Sequence, residues 1–302
     1  MYAGMKTAPT AEERAEIVVD ELLRTGAFDR EILVVATTTG SGWLEPQTVD
    51  SLEYLYGGDT AIAAIQYAFV PSWVSFLFDP ELPDEASAIL FEAVEAEWLK
   101  LPEDDRPELI VYGLSLGASG SQAAFADLAD LRSRTDGALF VGTPNASAMW
   151  QELQNNRDPG SPMALPVLDN GQEVRLMSGR GDVSGPTAEW EHPRVLYLQH
   201  ETDPVTWFSC DLFFQKPEWL DEDQRSEHIS TSMRWIPIIT GLQVAVDLLG
   251  ADQVPAHVGH NYGDVIVPAW INVLGDPGLP EETLQAIQDE IETYATIIPF
   301  DQ

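Results

Sequence analysis

Apolar residues follow two spacings along the chain, one typical of buried strands and one typical of amphipathic helices. Continuous apolar runs predict strands at Ile32 to Ala36, Ala61 to Phe69, Leu109 to Tyr112, Gly137 to Val141 and Val195 to Gln199. Helical spacing predicts helices at Ala11 to Thr25, Asp84 to Leu99, Gly117 to Leu131, Trp235 to Leu249 and Pro280 to Thr296. Strands that alternate with helices predict an α/β fold: a mainly parallel sheet with helices on both faces.

One long stretch, residues 144–193, departs from this alternation. It is rich in Pro, Gly, Asn and Asp and has weak periodicity, so we predict an insertion of irregular structure. The insertion either covers the functional site as a lid or pads the surface. With 302 residues, the chain is long enough for a single large domain over residues 1–302, and we expect one.

Charge and cysteine content exclude several classes of function. The chain has 50 Asp and Glu against 15 Lys and Arg, a net charge of -35, which repels phosphate backbones and makes a nucleic-acid partner unsuitable. A single cysteine, Cys210, allows neither an intramolecular disulfide nor a thiolate metal site. We expect no metal and no organic cofactor.

The most specific motif is Gly113-Leu114-Ser115-Leu116-Gly117, which follows an apolar strand and opens an Ala-rich helix. A strand-to-helix turn this tight forces its central residue into a strained backbone conformation, and glycines two positions away remove side chains that would clash. The serine hydroxyl then stands exposed above the edge of the sheet. Ser115 is therefore the predicted nucleophile, against the alternative of a surface serine in a glycine-rich turn.

A serine nucleophile needs a base and a carboxylate that orients the base, in the chain order Ser, acid, His. Asp203 follows the fifth strand in a loop that would present it at the same edge of the sheet, and Glu201 is the alternative. Of the five histidines, His260 and His257 lie in the late loop PAHVGHNYGD, and we favour His260. Their spacing lacks the HExxH helix of a zinc site.

The tetrahedral intermediate needs two hydrogen-bond donors for its oxyanion. The first predicted donor is the N–H of Leu116, and the second comes from the loop after the first predicted strand. Within that loop, Thr39 is the first choice and Thr38 the second. The alternative is that the loop is an ordinary flexible turn.

Aromatic residues near the predicted strand ends form a candidate acyl-chain pocket. Trp73 and Phe76 follow the second strand, and Trp207 follows Asp203. Aromatic groups of this kind also serve as core, so the two interpretations stay open.

Besides this motif, several longer stretches between about Arg24 and Asp264 match the sequence pattern of a known family. They are RTGAFDREILVV, TTTGSGWLEP, LEYLYGGD, IQYAFVPSW, DDRPELIVYGLSLGASGSQAAF, DGALFVGTPN, RDPGSP, PRVLYLQHETDPV, MRWIPIITGLQVAVDL and HVGHNYGD. On these stretches the chain resembles the catalytic domain of actinobacterial α/β-hydrolase-fold membrane proteins. The resemblance implies an α/β-hydrolase fold and a serine-hydrolase core with Ser115, Asp203 and His260 in the triad positions.

The resemblance also bears on location and on two details of the site. Family members usually carry transmembrane helices ahead of this domain, so the chain resembles a soluble portion of a membrane-anchored, extracytoplasmic protein. The family pattern often has Glu where this chain has Leu114, which alters the polarity of the site. It often has Gly in place of His257, which supports His260.

Together these features predict a serine esterase that cleaves a carboxylic ester, such as a lipid or acyl ester of a cell envelope, through an acyl-enzyme on Ser115. An acyltransferase with the same triad is the nearest alternative. A non-catalytic binding or scaffold module that keeps the fold is an alternative of another class.

Overall fold

The protein is built on a seven-stranded sheet, and every strand pair in the described part of the chain is parallel. The computed structural model describes residues 1–70 and 81–297. The strands are β1 (Tyr2–Ala3), β2 (Ile32–Thr37), β3 (Thr60–Ile65), β4 (Glu108–Leu114), β5 (Gly137–Val141), β6 (Val174–Met177) and β7 (Arg194–Leu198). They lie in the order β1-β3-β2-β4-β5-β7-β6. The predicted parallel sheet is confirmed.

Ten helices connect or flank these strands within the described residues. They are α1 (Ala11–Thr25), α2 (Pro46–Leu55), α3 (Leu82–Trp98), α4 (Leu116–Ala123), α5 (Leu128–Arg134), α6 (Ala148–Asn155), α7 (Pro204–Trp207), α8 (Ile239–Asp247), α9 (Ile266–Leu274) and α10 (Glu281–Ile297). The predicted bounds of α1 agree with the structure because local groups set both ends. Thr10 and Glu13 form a capping box, and Gly26 ends the helix at φ 71°.

Helices cover both faces of the sheet, as the strand pattern predicts. Leu33 and Val35 of β2 join one hydrophobic cluster with α1 and α3, whereas Ile32 and Val34 join a second cluster with α2, α9 and α10. Side chains of a strand alternate between faces, so an unbroken apolar run belongs to a strand that is buried on both sides.

The prediction of irregular structure over residues 144–193 is wrong in part. The segment contains α6 and the edge strand β6, which pairs with β7. Arg175 hides the strand pattern because it is charged and lies in the middle of β6. Its guanidinium is nevertheless buried and donates hydrogen bonds to the carbonyl oxygens of Gly171, Val183 and Ala188.

A third, smaller hydrophobic cluster lies apart from the two sheet faces. Its buried members are Ala164, Trp207, Leu212, Trp219, Leu220, Ile229 and Val244. We call residues 207–244 the cap segment, because they supply nearly all of this cluster. From residues 144–193, for which the sequence left a lid and surface padding as alternatives, the cluster includes Met163 and Ala164.

The position of β2 determines where a functional site can form. The chain runs from β2 outward to β3 and then returns to place β4 on the other side of β2. Strand order therefore reverses between β2 and β4, and the crevice at the carboxyl ends of such strands is the usual place for ligands in open α/β sheets.

Candidate active site

Ser115 lies in the tight turn between β4 and α4, with φ 56° and ψ -125°. The two flanking glycines are required there. A Cβ on Gly113 would lie 2.3 Å from the carbonyl oxygen of Gly117, and a Cβ on Gly117 would lie 2.3 Å from the carbonyl oxygen of Thr37. A strained serine held between backbone segments that tolerate only glycine is the arrangement of a nucleophile elbow.

Asp203 and His260 are hydrogen-bonded to each other. The Nδ1 atom of His260 lies 2.6 Å from Oδ2 of Asp203. Asp203 follows β7 and caps α7, where its Oδ1 accepts a hydrogen bond from the N–H of Val205 at 2.8 Å. Asp203 is fully buried and His260 is 9% exposed, so the pair is shielded from water.

Each member of this pair changes the pKa of the other. Burial alone would raise the pKa of Asp203, but the charge and hydrogen bond of His260, together with two further hydrogen bonds, hold it below its usual value. Burial alone would lower the pKa of His260, but the carboxylate of Asp203, with smaller contributions from Glu45 and Asp252, raises it above its usual value. An ionised carboxylate therefore faces an imidazole that readily accepts a proton.

The imidazole of His260 packs over the end of β5, next to the elbow. The N–H of Ser115 donates to the carbonyl oxygen of Val141 at 2.9 Å. A Cβ on the following residue, Gly142, would lie 2.3 Å from Cε1 of His260. Nε2 of His260 is buried and has no hydrogen-bond partner among the described residues. The structure thus brings Ser115, Asp203 and His260 to one edge of the sheet.

Neither of the alternative acid and base residues reaches this place. Glu201 accepts hydrogen bonds from the hydroxyl of Ser226 and, through its carbonyl oxygen, from the indole of Trp207. Its carboxylate therefore points toward the cap segment. The side chain of His257 is exposed, three residues before the buried His260.

The two loops that carry the predicted oxyanion donors touch each other, and one of the two threonine N–H groups is already engaged in a hydrogen bond. Leu116 is the first residue of α4, so its N–H has no partner within the helix. Gly117 packs against the carbonyl oxygens of Thr37 and Thr38, which brings this helix end to the β2 loop. The N–H of Thr39 donates to the carbonyl oxygen of Trp43 at 3.0 Å and is therefore occupied. Thr38, the second choice, becomes the better candidate.

Of the aromatic residues considered for an acyl pocket, Trp207 fits the other interpretation that the sequence left open, that of a core residue. Trp207 belongs to the cluster of the cap segment, where its ring lies 5.5 Å from that of Trp219. Its indole N–H donates a hydrogen bond to the carbonyl oxygen of Glu201, which fixes the ring in this place. Trp73 and Phe76 lie outside the described residues. A cavity of about 300 Å³ instead adjoins α4, with Leu116, Pro144 and Met149 in its walls.

Comparison with known proteins identifies the family. A model of the alpha/beta-hydrolase family matches residues 1–287. The chain belongs to this family. Membership supports a hydrolase activity and agrees with the parallel sheet and the elbow. The match does not reach the narrower group of actinobacterial membrane proteins, which stays a prediction.

Other comparisons add little to this assignment. A Trichoderma reesei cutinase, solved in complex with a C11Y4 phosphonate inhibitor, matches with 14% identity and a TM-score of 0.34. The match covers 67% of this chain and 82% of the cutinase. No curated protein sequence matches the chain. Within residues 1–70 and 81–297, no helix has the length and apolar character needed to cross a bilayer.

Tyr262 is a site residue that the sequence analysis missed in this hydrolase. Its hydroxyl donates to Oδ2 of Asp203 at 2.6 Å and accepts from the N–H of His200 at 3.2 Å. The ring of His200 stacks on that of Tyr262, with centroids 4.3 Å apart. Tyr262 lies two residues after His260, and its place in the loop GHNYGD was the only local signal.

Replacing Tyr262 with phenylalanine is expected to destabilise the protein by about 2 to 3 kcal/mol, because the buried carboxylate of Asp203 loses a charge-assisted hydrogen bond. Urea unfolding at pH 7 measures the change. The matched control is Tyr197→Phe, whose hydroxyl is also buried but donates to the neutral amide of Gln122. We expect a loss of about 1 kcal/mol for the control. Equal losses of stability in both variants would contradict a charge-assisted hydrogen bond between Tyr262 and Asp203.

Glu45 is a second missed residue. It is 6% exposed, and burial raises its pKa to about 7, while a hydrogen bond from Thr48 and the charge of His260 act in the opposite direction. The loop that carries Thr38 and Thr39 ends at this residue, immediately before α2. No local sequence pattern marks Glu45 as a site residue, because a lone acidic residue before a proline is common in loops.

The raised pKa of Glu45 makes stability depend on pH. Its ordinary pKa is 4.5 and its folded pKa is about 7, so the folded protein loses stability as pH rises through this interval. The change amounts to roughly 3 kcal/mol. Relative to the wild type, Glu45→Gln should gain about this amount between pH 4.5 and pH 8 in urea unfolding. Parallel stability curves for the two proteins would show that Glu45 does not titrate in this interval.

Proposed function

We propose that the protein is a serine hydrolase that cleaves a carboxylic ester through an acyl-enzyme on Ser115. The hydroxyl of Ser115 attacks the ester carbonyl while Nε2 of His260 takes its proton. Asp203 holds the imidazole in the required tautomer and stabilises the imidazolium. The imidazolium then gives the proton to the leaving alcohol, and a water molecule, activated in the same way, releases the acid.

The observation that carries this proposal is the hydrogen bond between Asp203 and His260, placed beside a strained serine at the reversal of strand order. The carboxylate and the base are buried together, and Nε2 of His260 is left without a partner in the described part of the chain. A base with an oriented ring and a free nitrogen is the state that general-base catalysis needs. We infer that the N–H groups of Leu116 and Thr38 stabilise the oxyanion.

We propose an ester with an apolar acyl chain, such as a lipid ester of a cell envelope, as the substrate. The cavity beside α4 supports this, because Leu116 lies in its wall and also carries a predicted oxyanion donor. A chain bound there would place its carbonyl group close to the elbow. Further apolar walls include Ala146 and Phe125, whereas Asp84 and Glu152 are the acidic residues at its edge.

A series of p-nitrophenyl esters with acyl chains from two to sixteen carbons tests this substrate class. We expect turnover of esters, with kcat/KM depending on chain length, and slow turnover of the matching anilides. Met149→Trp, which narrows the cavity, should move the preference toward shorter chains. An unchanged chain-length profile in this variant would exclude the cavity as the acyl site.

The same assay separates hydrolysis from acyl transfer. Glycerol or a long-chain alcohol is added as a competing acceptor, and products are quantified by mass spectrometry. Hydrolysis predicts free acid as the main product at every acceptor concentration. A new ester that replaces the acid at millimolar acceptor would favour the acyltransferase alternative, since both reactions share the acyl-enzyme.

A further inference from the structure

Two carboxylates are buried among the residues that the structure describes, and both belong to this site. They are Asp203, which is fully buried, and Glu45, which is 6% exposed. The other Asp and Glu side chains in residues 1–70 and 81–297 are at least partly exposed, because burial of a charge is costly. Asp203 has an evident role in orienting His260, whereas the catalytic scheme above leaves Glu45 unused.

Local structure does not explain why Glu45 is buried. It occupies the position before the first turn of α2, but its side chain makes no capping hydrogen bond. Its Oε2 instead accepts a hydrogen bond from the hydroxyl of Thr48 at 3.0 Å, and the same hydroxyl accepts from that of Tyr112 at 3.0 Å. The carboxyl group is therefore held in a fixed place under the β2 loop. A helix cap would need only Ser, Thr, Asp or Asn there.

Glu45 lies where the first turn of α2 meets the loop of His260: a Cβ on Gly263 would lie 2.3 Å from Nε2 of Gln47. Across this contact the two groups act on each other electrostatically. The charge of Glu45 raises the pKa of His260, and the charge of His260 lowers the pKa of Glu45. Three other titratable groups adjoin the pair. Asp203 is hydrogen-bonded to His260 and to Tyr262, and Tyr112 donates to the hydroxyl of Thr48. Asp252, which precedes the His260 loop, acts on both members with a smaller effect.

We propose that Glu45 is a positioning residue for the reaction, a second buried carboxyl group that acts through His260 and, by gaining or losing its own proton, adjusts the charge that the imidazole carries. The proposal rests on the proposed function. Glu45 touches neither the ester nor Ser115 in this scheme. Asp203 orients the ring through Nδ1, while Glu45 supplies a negative charge from the side of the oxyanion loop.

The consequence for the reaction follows from charge alone. When His260 takes the proton of Ser115, the imidazolium is stabilised by Asp203 and, if Glu45 is ionised, by a second negative charge. When Glu45 holds its own proton, that second charge is absent and His260 is a weaker base. The proton of Ser115 goes to Nε2 of His260 in both cases, so Glu45 changes the energy of the step and not its chemistry. The two groups titrate as a coupled pair.

Glu45→Gln tests this role because the amide keeps an oxygen that can accept from Thr48 while the charge is lost. The matched control is Asp50→Asn, which removes a carboxylate charge from α2, five residues after Glu45. Asp50 accepts a hydrogen bond from the hydroxyl of Tyr294 at 2.7 Å. Both variants, the wild type and His260→Ala are prepared as the full chain, and urea unfolding establishes that each is folded.

Two readouts are compared. The first is the imidazole resonance of His260 in 15N-labelled protein, assigned by its absence in His260→Ala and followed from pH 5 to pH 9. The second is the pH profile of kcat/KM with a p-nitrophenyl ester. In Glu45→Gln the resonance should titrate at lower pH, and the acid limb should move in the same direction. At one pH unit below the midpoint of the wild-type acid limb, Glu45→Gln should retain a fraction of its plateau kcat/KM that is about two- to fivefold larger than the fraction retained by the wild type.

The outcomes separate this inference from the proposed function. A resonance and an acid limb that move no further than in Asp50→Asn would overturn the role of Glu45. A shift of the resonance in a protein that turns over no ester would support the Glu45–His260 coupling and count against the proposed hydrolase. A loss of kcat/KM that is the same at every pH would indicate a merely structural residue and would also overturn the inference.

Discussion

Replacing Ser115 with alanine is expected to lower kcat/KM for ester hydrolysis by at least about 10⁴-fold, because it removes the hydroxyl on which the proposed acyl-enzyme forms. The fold should be retained, since alanine is no larger than serine in the tight turn. Hydrolysis of a p-nitrophenyl ester measures the loss, and circular dichroism and thermal unfolding check the fold.

Ser133→Ala is the matched control for this variant. Ser133 is an exposed serine of α5, and its hydroxyl donates to the carbonyl oxygen of Asp130. We expect wild-type turnover. Residual turnover above about one per cent in a clean Ser115→Ala preparation would contradict the role of Ser115 as nucleophile.

Replacing Asp203 with asparagine is expected to lower kcat by about 10³- to 10⁴-fold, because an amide does not hold the imidazole in the tautomer that leaves Nε2 free. The hydrogen bonds from His260, Tyr262 and the N–H of Val205 all converge on this carboxylate. The variant should also lose the part of its stability that the ionised carboxylate supplies. Because the pKa of Asp203 is lowered, that contribution is present at neutral pH and is lost in strong acid.

Glu201→Gln is the control for the acid, since sequence alone left Glu201 as the alternative. Its carboxylate accepts from Ser226 in the cap segment, whereas the carboxylate that is hydrogen-bonded to His260 is that of Asp203. We expect a change of less than about fivefold in kcat, within the range of remote substitutions. A loss equal to that of Asp203→Asn would show that the wrong carboxylate has been assigned.

The residues that sequence could identify are those whose neighbours in the chain restrict them. Ser115 stands out because glycines on both sides, a strand before it and a helix after it all describe one tight turn. Asp203 stands out because it follows a buried strand and precedes a proline that begins α7. In each case the residues that define the local backbone also place the functional side chain.

Residues whose partners lie far away in the sequence could not be found in this way. Glu45 approaches the site because α2 packs beside β4, where Tyr112 meets Thr48 across 64 residues of sequence. Tyr262 reaches Asp203 across 59 residues. Neither contact leaves a periodic or spacing pattern. The strand β6 escaped notice for another reason: its charged Arg175 interrupts the apolar run, and the carbonyl oxygens that accept from its guanidinium lie in turns without a distinctive sequence pattern.

At two positions the sequence left alternatives open, because local sequence does not specify which groups are already engaged. Thr39 lies at the right place for an oxyanion donor, but a turn in the same loop uses its N–H. Trp207 follows Asp203 closely, but four residues of helix direct its ring into the cluster of the cap segment. Hydrogen-bond partners and side-chain direction were the missing information in both cases.

The central claim is that Ser115 is an activated nucleophile, and labelling with a fluorophosphonate tests it most directly. The purified chain is treated at pH 8, and intact mass and peptide mapping locate the adduct. We predict one adduct, on Ser115, that is absent in Ser115→Ala and strongly slowed in His260→Ala. A folded protein that takes up no label, or carries it on another residue, would contradict the account.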